Sequence, residues 1–167
     1  MAKTKILTSK EIDQKLNRMA FQVYENFFSE KQLLIVGIDG NGYKVAKEIY
    51  ARLNKISDLK LTLGKLTINK NEPWDNQIKS DFTKSDFENK NVLVVDDVLN
   101  SGKTLVYAIR SFLDCPVKRL NTLILVDRQH TRFPVKADFV GLSLNTTLQE
   151  HIEADFSKKG SEAVYLK

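Results

Sequence analysis

Three stretches of the chain are built on unbroken apolar runs: QLLIVGI (32–38), VLVV (92–95) and NTLILVD (121–127). A strand with one wet face alternates apolar and polar residues, whereas an unbroken run is buried on both faces. Helical spacing fills the intervals. YKVAKEIYARLNK (43–55) repeats apolar residues at Val45, Ala46, Ile49 and Leu53, and GKTLVYAIRSFLD (102–114) follows the second run. Ahead of them, TSKEIDQKLNRMAFQVYENF (8–27) opens with a capping box, Thr8 with Glu11, and continues through Ile12, Leu16, Met19, Ala20, Val23 and Phe27. Further strands are predicted at LKLTLGKLTI (59–68), ADFVGL (137–142) and AVYLK (163–167). Doubly buried strands joined by helices specify an α/β fold with a central parallel sheet flanked by crossover helices. Ligands of such sheets bind beyond the carboxyl ends of the strands.

At 167 residues the chain is sized for a single domain, 1–167, and 42% apolar with 28% charged residues is the balance of a globular protein. No window has the length of a membrane span, the N-terminus has no apolar leader, and Cys115 has no partner cysteine, so a cytoplasmic protein without a membrane partner is expected. The net charge of +5 suits phosphate-bearing ligands or RNA. His130 and His151 stand too far apart to argue a zinc site. Residues 69–81, NKNEPWDNQIKSD, are polar with one proline and one tryptophan, and read as a long mobile loop.

Chemistry concentrates in VLVVDDVLNSGKT (92–104). It ends like a nucleotide P-loop, but that loop needs glycine where Asp97 stands. A dinucleotide fingerprint starting at Gly40 and Gly42 fails in the same way, because its third glycine is Val45. What remains is a strand-end acid pair, Asp96 and Asp97, followed by an anion-binding turn at a helix N-terminus. Backbone amides of Asn100, Ser101, Gly102, Lys103 and Thr104 cradle a phosphate, aided by the Ser101 and Thr104 hydroxyls. Ionised carboxylates accept vicinal hydroxyls directly or through a divalent ion. A sugar phosphate carries both features.

This stretch resembles the signature of the type I phosphoribosyltransferases, which bind 5-phosphoribosyl 1-pyrophosphate. LNRMAF, LLIVGIDGNG, LGKLTI and LVDRQHTRFPVKADFVG extend the resemblance to one branch, the pyrimidine-operon attenuation proteins, many of which are also uracil phosphoribosyltransferases. The resemblance implies a five-stranded parallel core, a flexible active-site loop at about 69–81, a small hood at about 141–150, a magnesium ion, and assembly as a homodimer or larger oligomer. It gives Asp96 and Asp97 the catalytic place, binding the ribose hydroxyls and, through ligand or water, the metal. It gives Asn100 to Thr104 the 5-phosphate, and Asp39, Gly40, Asn41 and Gly42 the leaving pyrophosphate. Base recognition falls to Asp127, Arg128, Leu142, Ser143 and Leu144, where Asp127 also reads as a plain strand-end cap. Lys70, Glu72 and Trp74 belong to the flexible loop, with Trp74 as a lid.

Two departures weigh on turnover. The family usually places lysine and arginine in the pyrophosphate turn, where this chain has Asp39 and Asn41, and an arginine in the flexible loop, where Glu72 stands. Acids there oppose a leaving group that gains negative charge. A dimer lending Arg52 or Arg110 would restore a cation. An RNA face matching the family would comprise Arg18, His130, Arg132 and Lys136, thinned by Phe21, Thr131 and Leu142 at positions where relatives tend to carry cations. The expected activity is phosphoribosyl transfer to uracil, serving pyrimidine salvage. The alternatives are a catalytically weak ligand sensor acting on RNA and a purine-base transferase.

Overall fold

The computed structural model describes residues 3–74, 78–147 and 149–167. Its order is β1 (Thr4–Leu7), α1 (Ser9–Phe27), β2 (Gln32–Ile38), α2 (Asn41–Ile56), β3 (Lys60–Thr67), β4 (Lys79–Ser80), α3 (Lys84–Phe87), β5 (Asn91–Leu99), α4 (Lys103–Arg110), β6 (Arg119–Asp127), β7 (Phe139–Ser143), β8 (Ile152–Asp155) and β9 (Ala163–Leu166). Strands β3-β2-β5-β6-β7 form the expected parallel core, and β4 adds an antiparallel edge beside β3.

Both faces of this sheet are covered, which is why its strands carry no polar alternation. Leu33 and Ile35 of β2 and Leu93 and Val95 of β5 pack with α1 and α2. Leu34, Val36 and Ile38, with Val92 and Val94, pack on the other side with Leu105 and Ala108 of α4 and with Phe87 and Phe112. Helix α1 buries Ile12, Leu16, Met19, Ala20, Val23 and Phe27, and Thr8 with Glu11 completes its capping box. The predicted stripe and start are both realised.

Three differences concern reach. Helix α2 begins at Asn41, so Asn41 and Gly42 lie in its first turn rather than in a four-residue loop. Strand β5 runs on to Leu99 because Asp96, Val98 and Leu99 continue the ladder to β6. Lys79 and Ser80, expected in a mobile loop, pair with Thr67 and Leu66. A second sheet, β1-β9-β8, was not expected: it is antiparallel, draws on both ends of the chain, and takes the C-terminal strand away from the parallel core. Its strands have four residues each, too short for a period to show. Within the expected hood, residues 141–143 complete β7 and 144–147 form an irregular link towards β8; Leu148 is outside the described residues, as are 75–77 of the loop.

Candidate functional site

Because β2 and β5 are parallel neighbours, the chain leaves both at one edge of the sheet, and the two unusual turns meet there. The joint is Gly42. A Cβ at that position would lie 2.6 Å from Asp96 Oδ1 and 3.0 Å from Asp96 Cα, so the first turn of α2 rests directly on the acid pair. Asp96 and Asp97 are both buried, and the Asp97 N–H donates to Asp96 Oδ1 at 2.9 Å. Burial, then the like charge of Asp97, pushes the Asp96 carboxyl well above the ordinary carboxylate range, while the Lys70 ammonium pulls the other way.

The anion turn stands next to this pair. Gly102 caps α4 in the left-handed region, φ 83°, and the Lys103 N–H donates to Ser101 Oγ at 3.3 Å. From behind, the Arg132 and Phe133 amides donate to the Ser101 carbonyl at 2.8 and 3.1 Å, which fixes the turn's orientation. In front is a cavity of about 80 Å³ lined by Asp96, Lys70 and the run Asn100 to Leu105. The buried acid and the amides of the turn therefore share one small space. Gly102→Ala would need a positive φ and would put its Cβ 2.6 Å from Val135 Cγ1. The expected cost is about 1–3 kcal/mol, read as a lower melting temperature together with weaker calorimetric binding of ribose 5-phosphate.

Asn71 and Trp74, on the segment expected to form the flexible loop, lie against this turn. Lys103 Nζ donates to the Asn71 carbonyl at 3.2 Å and stands 5.3 Å from the centre of the Trp74 ring, a cation–π distance. Trp74 itself is exposed. Lys70 reaches the cavity, whereas Glu72 is exposed and its N–H donates to Asn69 Oδ1.

At the end of β2, Asp39 turns its carboxylate towards β3. Oδ1 accepts the Gly40 N–H at 2.9 Å and lies 3.5 Å from Lys65 Nζ, and Oδ2 accepts the Thr67 hydroxyl at 3.4 Å. The Asn41 amide nitrogen donates to the Ala154 carbonyl at 2.8 Å, tying the start of α2 to the small sheet.

Around the base-recognition segment, Asp127 Oδ1 accepts the Gln129 N–H at 2.8 Å, a capping turn at the end of β6. Arg128 is buried and donates to Thr146 Oγ1, the Thr147 carbonyl and Asn100 Oδ1, so it clasps the 144–147 link to the anion turn. Leu142 and Leu144 pack on the α1–α2 side of the core, and Ser143 is exposed. Arg18 donates to the Val140 and Gly141 carbonyls at 3.0 and 2.7 Å, pinning α1 to β7. It is not among the residues that line a space of about 490 Å³ formed by His130, Arg132, Arg128, His151, Asn100, Ser101 and Ile152. His151, weighed from the sequence only as a zinc partner of His130, is brought to this group by the return of the chain at β8, from 19 to 51 positions along the chain. Lys136 is exposed on the segment leading into β7. Arg52 is held within its own chain by Asn17, Glu48 and Asp13, and Arg110 lines a separate cavity with Trp74 and Asp114.

A family model described as a phosphoribosyl transferase domain matches residues 3–157. The chain is 32% identical over 158 residues to a protein of Macrococcus caseolyticus named bifunctional protein PyrR, covering 91% of each chain. It is 30% identical over 177 aligned positions to a Lactococcus lactis pyrimidine operon regulatory protein, covering 100% of this chain and 98% of the relative. Among solved structures it is similar to the hypoxanthine phosphoribosyltransferase of Trypanosoma cruzi, at a TM-score of 0.79 and 14% identity over 98% of this chain and 95% of that one. A hypoxanthine-guanine phosphoribosyltransferase from Bacillus anthracis gives 0.75 and 15%, with 97% and 96% covered. At these identities the solved structures speak for the fold. Among the described residues, no helix is long and apolar enough to cross a membrane.

Proposed function

The chain belongs to the phosphoribosyl transferase family, and on that premise we propose that it transfers the phosphoribosyl group of 5-phosphoribosyl 1-pyrophosphate to uracil, releasing pyrophosphate. The observation that carries this reading is the shared cavity, in which the buried Asp96 faces the amides of the 100–104 turn. The turn holds the 5-phosphate, aided by the N-terminal dipole of α4. Asp96 and Asp97 accept the ribose 2- and 3-hydroxyls and orient the ring. In the transition state the bond from ribose C1 to the pyrophosphate oxygen lengthens as the base nitrogen approaches, and the ring gains positive charge. Buried carboxylates favour that charge.

Hard carboxylate oxygens suit magnesium, and a buried Asp96 that resists ionisation by itself is the kind of group a cation stabilises. Among the described residues no cluster of three or more His, Cys, Asp or Glu could hold a metal by itself. Asp96 and Asp97, together with the substrate's own oxygens, would hold magnesium, which would supply charge neutralisation there.

For the base, the reading takes the ends of β6 and β7, near Asp127 and Leu142 to Leu144, as the place where backbone groups would meet uracil. A relative's printed name, pyrimidine operon regulatory protein, favours a pyrimidine over a purine. The test is pyrophosphate release with magnesium and one base at a time. Release with uracil alone is expected; release with hypoxanthine or guanine alone would move the chain to the purine reading.

A second reading is regulation through RNA. It is favoured by the relatives named as operon regulators and by the grouping of His130, Arg132, Arg128 and His151. Arg18 is committed to Val140 and Gly141, which reduces the phosphate contacts left for RNA. Assembly as a homodimer or larger oligomer belongs to the same family-based reading.

A further inference from the structure

Three donors converge where the chain leaves β2: the Gly40 amide, the Lys65 ammonium and the Thr67 hydroxyl. An amide at a helix start, an ammonium and a hydroxyl make a donor set for an external anion. Here all three are turned on the carboxylate of Asp39. The same turn is wedged by Gly42 against Asp96, so it borders the proposed transfer site.

We propose that Asp39 is an internal competitor for the leaving group: its carboxylate occupies the Gly40, Lys65 and Thr67 donors that pyrophosphate would otherwise take, and so sets the site's preference towards ligands carrying a 5-phosphate alone. The inference rests on the proposed phosphoribosyl-transfer reading and identifies the residue that limits it. Two effects act together. Ligand pyrophosphate must displace Asp39 from its donors, and the displaced carboxylate stays nearby as a like charge. A sugar monophosphate pays neither penalty, because its phosphate binds the 100–104 turn on β5. The site thereby holds 5-phosphate compounds well and commits to pyrophosphate chemistry reluctantly.

Calorimetry on the full chain, with inorganic pyrophosphate, 5-phosphoribosyl 1-pyrophosphate and ribose 5-phosphate as probes and magnesium present, tests this. Asp39→Ala frees the donors and removes the charge, and should tighten binding of both pyrophosphate-bearing probes by about tenfold or more, leaving ribose 5-phosphate unchanged. Asp39→Asn keeps an oxygen that can accept the Gly40 N–H, and should gain less. Adding Lys65→Met to Asp39→Ala should cancel most of the gain, since the freed ammonium supplies it. Two results would overturn the inference while ribose 5-phosphate still binds: no gain in Asp39→Ala, or an equal gain for all three probes, which would leave Asp39 as a diffuse charge. Failure of every probe, ribose 5-phosphate included, to bind any of the proteins would instead remove the transferase reading, and the inference with it.

Discussion

Asp96→Asn is expected to lower phosphoribosyl transfer by about 10²-fold or more while making the ligand-free protein more stable at neutral pH. The two effects have one cause. Asp96 is buried beside Asp97, and its carboxyl is held well above the ordinary range by that burial and by the neighbouring charge. A carboxyl whose folded pKa lies above its unfolded value costs no stability below the unfolded value. The cost appears as pH rises from there through the folded pKa, because the unfolded chain ionises first. Asparagine keeps the shape, keeps an oxygen for the Asp97 N–H, and never ionises. Melting curves against pH should show the variant gaining on the wild type as pH rises, while an assay of pyrophosphate release shows activity lost. A variant no more stable than wild type at neutral pH would mean that the acid pair is already compensated within the chain.

Gly42→Ala carries the second large effect. Its methyl would meet Asp96 Oδ1 at 2.6 Å, Asp96 Cα at 3.0 Å and the Val95 carbonyl at 3.1 Å, and two of these are backbone atoms of a central strand. β5 is paired on both sides and cannot retreat. Relief must come from α2, whose Val45, Ala46, Ile49 and Leu53 are locked in the core. Overpacking of this kind costs about 1–3 kcal/mol, and the displaced helix start should also weaken 5-phosphoribosyl 1-pyrophosphate binding. Denaturant unfolding and calorimetry check the two parts separately. Loss of binding with unchanged stability would show that Gly42 serves the ligand rather than the packing.

Much of the architecture is legible in the chain because its signals are local. The stripe of α1, the apolar runs of β2, β5 and β6, and the strand-turn-helix around Asp96 to Thr104 each occupy a few consecutive residues. Each states its own burial or cap. The small antiparallel sheet lacked such a signal, since Thr4–Leu7 and Ile152–Asp155 acquire meaning only as partners of Ala163–Leu166. Side-chain commitments were likewise hidden. Arg18 reads as a free cation on a helix, and Arg128 as a base-pocket residue, yet their partners lie 123 and 18–28 residues away along the chain.

The sequence by itself determined the parallel α/β core, the family, and a strand-turn-helix that sets a row of amides beside two acids, because periodicity, capping and the acid-pair motif act over one or two turns of chain. Only the tertiary structure decided which charged groups remain available there. Gly42 sets the first turn of α2 on Asp96, Lys65 and Thr67 meet Asp39 from the neighbouring strand, and Arg18 and Arg128 are spent on backbone carbonyls and neighbouring polar side chains. Hydrogen bonding and charge depend on distance in space, and strand order brings together what the chain keeps far apart.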